Sequence, residues 1–192
     1  MTDTIAMPLR AGAEMTALAR FHRDVTWTGT IEAGALGPDS PAMTATGGGV
    51  HRVIQDGLWI VGDYWQDQFL ADGTFVLRWQ LHWVAGWDPQ AKEYRAAIAD
   101  NYGHTEILRG QIDGDLLTFQ TIGRKPVRIR LFWHLVDDTT MTWRNEASIN
   151  SGPFQLVERY VCSTVSPPTG SGGGTGAHQD AGREASGPPA TR

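Results

Sequence analysis

The most constraining feature of this sequence is a strict alternation of large apolar and polar side chains in the segment FVLRWQLHWVAGWD, residues 75–88. Successive side chains of an extended chain point to opposite sides, so apolar residues at every second position share one face. Polar residues, among them Arg78 and His82, occupy the alternate positions. The apolar face carries Trp79, Leu81, Trp83, Ala85 and Trp87. The segment therefore predicts a β-strand whose apolar face is enclosed by the rest of the fold.

Similar short alternating segments recur along the chain. Their connectors are rich in Asp, Gly, Asn and Pro, which favours hairpins between neighbouring antiparallel strands. About ten such strands must either split into two sheets or close on themselves, and closure removes the edges that invite aggregation. The sequence therefore predicts an all-β fold, an antiparallel up-and-down barrel with a short N-terminal helix. The predicted strands cover residues 25–32, 43–54, 57–67, 74–87, 92–102, 105–112, 116–122, 127–135, 141–149 and 154–162.

The segments on either side of these strands differ from them in composition. In AGAEMTALARFHRD, Met15, Leu18 and His22 recur at spacings of three and four, which predicts a short amphipathic helix. Residues 166–192 are dominated by Gly, Pro and Ser and hold no large apolar residue, which predicts a disordered tail. We therefore divide the chain into an N-terminal segment (1–24), a barrel domain (25–165) and a tail (166–192).

Charge and composition limit the partners that we expect. The net charge is −5 and no basic stripe is present, which argues against nucleic acid. No apolar run approaches the roughly 20 residues that span a bilayer, so no membrane partner is expected. A single cysteine, Cys162, fits a reducing compartment, and we expect the protein in the cytoplasm. The sequence leaves the oligomeric state open.

Three consecutive glycines, residues 47–49, interrupt the second predicted strand. Glycine weakens a flat strand but suits a bulge or a sharp bend, as a barrel corner requires. A glycine-rich segment can also bind phosphate, but here no Lys-Ser/Thr pair or helix follows it. We expect a bulge or a bend at this position.

Four segments of the chain resemble the domain-of-unknown-function family 1579 (DUF1579). They are FHRDVTWTGT, QDGLWIVGDY, GWDPQAKEYRAAIADNYG and LRGQIDGDLLTF, and the resemblance runs from Phe21 to Cys162. Members of this family are similar to calycins, the lipocalin-like barrels, so the resemblance implies a barrel and no particular activity. The chain departs from the family at Val25-Thr26-Trp27, where a Gly-Xaa-Trp start is usual.

The turn WDPQAK predicts how the strands on either side of it pair. Pro89 at the second turn position places Trp87 roughly opposite Lys92. In that register the tryptophan face is the inner one, since a slip by one residue would expose three indoles. The predicted pairs are Trp83 with Ala96, Leu81 with Ile98, and Trp79 with Asp100.

This inner face has the composition of a small-molecule site, mostly apolar and aromatic with few polar groups. A barrel interior that side chains fill completely is the alternative. Asp100 stands out, because a carboxylate on an inner face is costly unless it is hydrogen-bonded, paired or protonated. It is either a catalytic acid–base group of raised pKa or a structural acceptor for an indole N–H or Tyr102. The predicted ligand-binding residues are Trp79, Leu81, Trp83, Tyr94, Ile98, Tyr102 and Trp143.

Three functions remain open at this point. The first is binding of a small hydrophobic or aromatic molecule in the barrel. The second is an enzyme of cyclase or isomerase type, for instance in specialised metabolism, that uses the same cavity with Asp100 as its catalytic group. The third is a filled barrel that contacts other proteins through its outer face.

Metal and cofactor sites have little support in the sequence. The histidines are scattered singly and have no cysteine partner, so no structural zinc site is expected. Haem-binding nitrobindins are barrels with a similar Trp-Xaa-Gly motif, and that resemblance leaves a haem site open, with His104 or His134 as the iron ligand. We otherwise expect no cofactor.

Overall fold

The structure is a computed structural model, and it describes residues 10–165. The predicted disordered tail, residues 166–192, lies outside the described residues. One helix and one 3₁₀ turn, Gln55–Gly57, accompany ten strands, so the predicted all-β fold with a short N-terminal helix is confirmed. The elements are α1 Ala13–Ala19, β1 Val25–Ile31, β2 Met43–Ile54, β3 Trp59–Phe69, β4 Phe75–Asp88, β5 Glu93–Asp100, β6 Thr105–Asp113, β7 Leu116–Thr121, β8 Val127–Leu135, β9 Thr140–Ile149 and β10 Gln155–Thr164.

The ten strands form one closed antiparallel barrel in which every strand pairs with its neighbours along the chain. β1 also pairs with β10, from Val25 opposite Thr164 to Ile31 opposite Glu158, and this pairing closes the ring. The short turns between strands allow this meander, because each hairpin needs only a few residues to reverse the chain. The predicted up-and-down barrel is therefore confirmed.

The predicted register between β4 and β5 is wrong by two residues. Trp83 lies opposite Ile98 and Leu81 opposite Asp100, and the pairing ends at the turn with Asp88 opposite Glu93. The reason is a longer loop than Pro89 alone indicates. The side chain of Asp88 accepts backbone N–H bonds from residues 90 and 91, each at 3.0 Å. Because the shift is an even number of residues, the tryptophans stay on the inner face.

The triple glycine in β2 does not form a bulge, which was one of the two features expected there. The pairing of β2 with both neighbouring strands is continuous through residues 47–49. The glycines instead make room for aromatic rings inside the barrel. A Cβ on Gly47 would lie 2.5 Å from Cε2 of Trp27, and one on Gly49 would lie 2.8 Å from Cδ1 of Tyr64. The smallest residue is therefore needed here for packing.

Helix α1 and the turn after it cover one end of the barrel, which we call the helix end. Leu18 and Phe21 are buried there. Arg20 pairs with Asp115 at 2.6 Å, which ties the turn to the start of β7. We call the opposite end, where β4 begins and β5 ends, the open end. Within residues 10–165, the structure has no helix with the length and apolar character required to cross a bilayer.

Candidate functional site

A cavity of about 80 Å³ lies inside the barrel. Its lining is aromatic or aliphatic except for one amide, Asn145. Three inward-facing lining residues, Trp79, Leu81 and Ile98, stay partly exposed, so the cavity lies toward the open end. The ten lining residues are Tyr64, Trp79, Leu81, Trp83, Ile98, Ile129, Leu131, Trp133, Trp143 and Asn145. An apolar cavity of this kind favours an apolar ligand over water, which requires polar partners.

Five of the seven predicted ligand-binding residues line this cavity: Trp79, Leu81, Trp83, Ile98 and Trp143. Tyr94 is buried at the helix end, where its hydroxyl donates to the backbone oxygen of Glu14 at 3.0 Å. Tyr102 lies in the turn after β5 with 52% of its surface exposed, away from the cavity. The structure therefore brings together the strand residues of the prediction and separates Tyr94 and Tyr102 from them.

Three tryptophans make a fixed wall for the cavity. The rings of Trp133 and Trp143 stack with planes parallel to within 2° and centroids 6.0 Å apart. Trp83 meets Trp133 edge-on at 5.6 Å. Offset-stacked and edge-to-face arrangements are the favourable ones for aromatic pairs. Since each ring is held by its neighbours, the wall is preformed.

Asp100 is a satisfied hydrogen-bond acceptor. Its Oδ1 accepts the backbone N–H groups of Tyr102 and His104, each at 2.9 Å, and its Oδ2 accepts the indole N–H of Trp79 at 3.3 Å. Burial acts to raise the pKa of Asp100, but these hydrogen bonds outweigh it and hold the pKa below its ordinary value. Of the two roles that the sequence left open for Asp100, this geometry favours the structural acceptor over an acid of raised pKa.

A second carboxyl, Glu158, lies beside the cavity and was missed in the sequence. Asn145 donates its amide N–H to one carboxyl oxygen of Glu158, and the hydroxyl of Tyr160 donates to the other at 2.5 Å. The indole N–H of Trp143 donates to Oδ1 of Asn145 at 2.7 Å. These contacts make one chain of hydrogen bonds from the cavity wall to Glu158.

Glu158 has the electrostatic character that was expected of Asp100. Burial raises its pKa above the ordinary value, although hydrogen bonds from Tyr160, Asn145 and Gln66 act in the opposite direction. Its neighbour Arg159 pairs instead with Glu32 at 2.7 Å. No ion pair within residues 10–165 includes Glu158. A signal was present in the sequence, because the alternation in LVERYVC places Glu158 on the same face as Tyr160 and Cys162.

Two histidines, of which His22 is buried and His51 partly buried, lie between the cavity wall and the helix end. Nδ1 of His22 is 3.1 Å from the backbone oxygen of Leu18, and the ring of His22 stacks on Trp83 at 5.7 Å. Nε2 of His51 is 2.6 Å from the hydroxyl of Tyr64. Burial lowers the pKa of His22 to about 3 and that of His51 to about 4. Both rings are therefore neutral near pH 7.

The two histidines named as haem-ligand candidates lie outside the cavity. The side chain of His104 is 81% exposed, with Nδ1 3.1 Å from Oδ2 of Asp100. His134 is exposed on β8, where the inward positions are taken by Leu131 and Trp133. Among the described side chains, no group of three or more His, Cys, Asp or Glu residues could hold a metal ion.

Comparisons with known proteins give a family and a fold. A family model described as "Protein of unknown function (DUF1579)" matches residues 14–157. The crystal structure of Rv2717c from M. tuberculosis has a similar fold, with a TM-score of 0.58 and 14% sequence identity, over 81% of this chain and 99% of that chain. At this identity the likeness extends to the fold alone. No match was found among curated proteins.

Proposed function

Because the chain belongs to the DUF1579 family, whose description names no activity, we propose a function from the cavity itself: the barrel binds a small, largely apolar molecule inside its open end. The observation that carries this proposal is the cavity of about 80 Å³ with its aromatic and aliphatic lining. Small-molecule sites are concave and mostly apolar, with a few polar groups that fix orientation. Asn145 is the one such group in the lining.

The size of the cavity limits the ligand. Pockets for drug-sized molecules span roughly 300–1,000 Å³, and an engineered apolar cavity of roughly 150 Å³ binds benzene. A volume of about 80 Å³ encloses only part of a ring of benzene's size, such as a five-membered ring, or one end of a longer molecule, and the remainder extends through the open end. The partial exposure of Trp79 and Ile98 provides that route.

Titration with cyclopentane tests this proposal. The eight tryptophans give eight indole N–H signals in a proton–nitrogen correlation spectrum. We expect saturable shifts at one ligand per chain, largest for the four lining tryptophans, Trp79, Trp83, Trp133 and Trp143. The signals of Trp59 and Trp65, which do not line the cavity, are internal controls. Unchanged spectra up to saturating cyclopentane would favour the filled barrel and contradict the proposal.

A second candidate function is catalysis in the same cavity, and the character of Glu158 favours it. A partly buried carboxyl of raised pKa without a cationic partner is typical of a general acid or base. Glu158 replaces Asp100 in this role, because the pKa of Glu158 is raised whereas the pKa of Asp100 is lowered. If Glu158 exchanges protons with a bound ketone, the protein accelerates the exchange of the α-protons of cyclopentanone in D₂O. Glu158→Gln then abolishes the acceleration, whereas Asp100→Asn retains it. No acceleration by the parent protein would leave binding as the function.

A further inference from the structure

Asn145 retains hydrogen-bonding capacity on the cavity wall. A side-chain amide has two N–H donors and two acceptor lone pairs on its oxygen. Trp143 uses one lone pair of Oδ1, and Glu158 uses one N–H of Nδ2. No other side-chain hydrogen bond of Asn145 is formed within residues 10–165. One N–H and one lone pair are therefore free at the only amide in the lining.

The orientation of this amide is fixed by its two partners. An indole N–H only donates, so the atom of Asn145 that faces Trp143 must be the oxygen. The nitrogen then faces Glu158, whose carboxyl accepts the bond. Glu158 is thus a positioning residue, since it holds the amide in one orientation and determines where the free N–H points.

The cavity lining has a second unused donor. Trp83 is 1% exposed, and its Nε1 has no hydrogen-bond partner among the described residues. A buried donor without a partner is costly, so most such groups are paired in folded proteins. The lining residues therefore have two N–H donors without a partner, on Asn145 and Trp83, and one vacant acceptor lone pair. Carbonyl-type oxygens tolerate a vacant lone pair more readily than N–H groups tolerate a missing acceptor.

This imbalance identifies the polar group that the cavity accepts. None of the lining residues is Lys or Arg, so an anionic ligand would be left without a cationic partner. A neutral acceptor remains. We propose that the cavity binds a small neutral carbonyl compound, a ketone, aldehyde or amide, whose oxygen accepts the free N–H of Asn145. This inference rests on the proposed binding function and adds the chemical class of the ligand.

A matched pair of probes separates the carbonyl contact from apolar burial. Cyclopentanone and cyclopentane are titrated into the parent protein and into Asn145→Leu, which replaces the amide by an apolar group of similar size. We expect Asn145→Leu to weaken the binding of cyclopentanone roughly ten-fold, because one carbonyl loses its donor. The affinity for cyclopentane should change less than two-fold. Arg144→Leu is the control, because Arg144 lies next to Asn145 on β9 but is exposed on the outer face.

The possible outcomes separate this inference from the proposed function. If neither probe binds the parent protein, the proposed function fails and the inference fails with it. If both probes bind the parent protein and Asn145→Leu weakens the binding of both equally, the carbonyl contact is contradicted and the proposed binding function stands.

An infrared measurement on the unsubstituted protein covers the case in which Asn145→Leu does not fold. The carbonyl stretch of bound cyclopentanone should lie below its frequency in an alkane solvent, because hydrogen bonding weakens the C=O bond. An alkane-like frequency would overturn the inference.

Discussion

The indole N–H of Trp79 donates to Oδ2 of Asp100 across 3.3 Å, although the residue directly opposite Asp100 in the β4–β5 pairing is Leu81. This diagonal bond links the partly exposed end of the cavity wall to the turn between β5 and β6. The same carboxyl accepts two backbone N–H groups of that turn. Asp100 therefore holds Trp79 and the turn in fixed positions relative to each other.

Replacing Asp100 by Ala should destabilise the protein by roughly 1–3 kcal/mol, because two backbone N–H groups and one indole N–H lose their acceptor. Chemical denaturation measures the change. Asp113→Ala is the control, since Asp113 is exposed at the end of β6 and should change stability by less than about 0.5 kcal/mol. Equal stabilities of the two variants would show that Asp100 does not stabilise the turn.

Stability should fall as the pH is lowered below about 6.5, and His22 should cause part of the loss. The pKa of His22 is about 3 in the folded protein, below the unfolded value of 6.5, so only the unfolded chain takes up a proton between these values. Each such histidine contributes a slope of roughly 1.4 kcal/mol per pH unit in this window. His22→Phe keeps a ring against Trp83 and should reduce the slope between pH 6 and pH 4.5 by that amount.

Urea denaturation at several pH values measures this slope. His134→Gln, which removes a histidine at an exposed position on β8, is the matched control. His51 contributes in the same direction, with a folded pKa of about 4, so part of the slope should persist in His22→Phe. An identical slope in the parent protein and in His22→Phe contradicts the assignment.

Filling the cavity should abolish binding without unfolding the barrel. Ile98→Phe adds a ring at a lining position near the open end. The affinity for cyclopentane should fall by at least about ten-fold, because the added ring occupies the ligand's volume. Ile107→Phe is matched to it, since Ile107 lies on the adjacent strand β6 but is 54% exposed. Binding that survives in Ile98→Phe would place the ligand elsewhere.

Gly47→Ala should cost more stability than Gly48→Ala. A Cβ at position 47 would lie 2.5 Å from Cε2 of Trp27 and would also meet the backbone oxygen of Trp65, so the ring or the strand has to move. We expect a loss of roughly 2–3 kcal/mol, within the range of overpacked cores. At position 48 the nearest atoms are 3.1 Å away, and we expect less than about 1 kcal/mol. Similar melting temperatures for both variants would contradict this account of the glycines.

The strands and their faces could be predicted because each depends on local alternation. Trp79 and Trp83 face inward for the same reason that Arg78 and His82 face outward, and no long-range information is needed. The β4–β5 register was predicted less well, because it depends on the conformation of the loop after Asp88. In that loop Lys92 has a positive φ of 52°, a state that few side chains favour and that the residue type does not reveal.

The polar part of the site shows where sequence reasoning fails. Glu158 on β10 obtains its environment from Asn145 on β9 and Gln66 on β3, residues that are far apart in the chain. Their proximity depends on strand register around the whole ring, where an error of one pair changes the neighbours. The raised pKa of Glu158 and the lowered pKa of Asp100 are results of that geometry. The volume of the cavity likewise depends on how the indole rings pack, which composition does not determine.

The pairing of β1 with β10 has a consequence for how the protein is made. Translation releases β1 first and β10 last, so a nascent chain can form its hairpins in order but cannot join the two ends of the sheet. Until Thr164 has left the ribosome, β1 presents a free edge that can pair with other chains. Contacts between residues so distant in sequence also form slowly, because a long loop must close first. The risk of aggregation is therefore greatest during synthesis, when the sheet is still open and has not closed into a barrel.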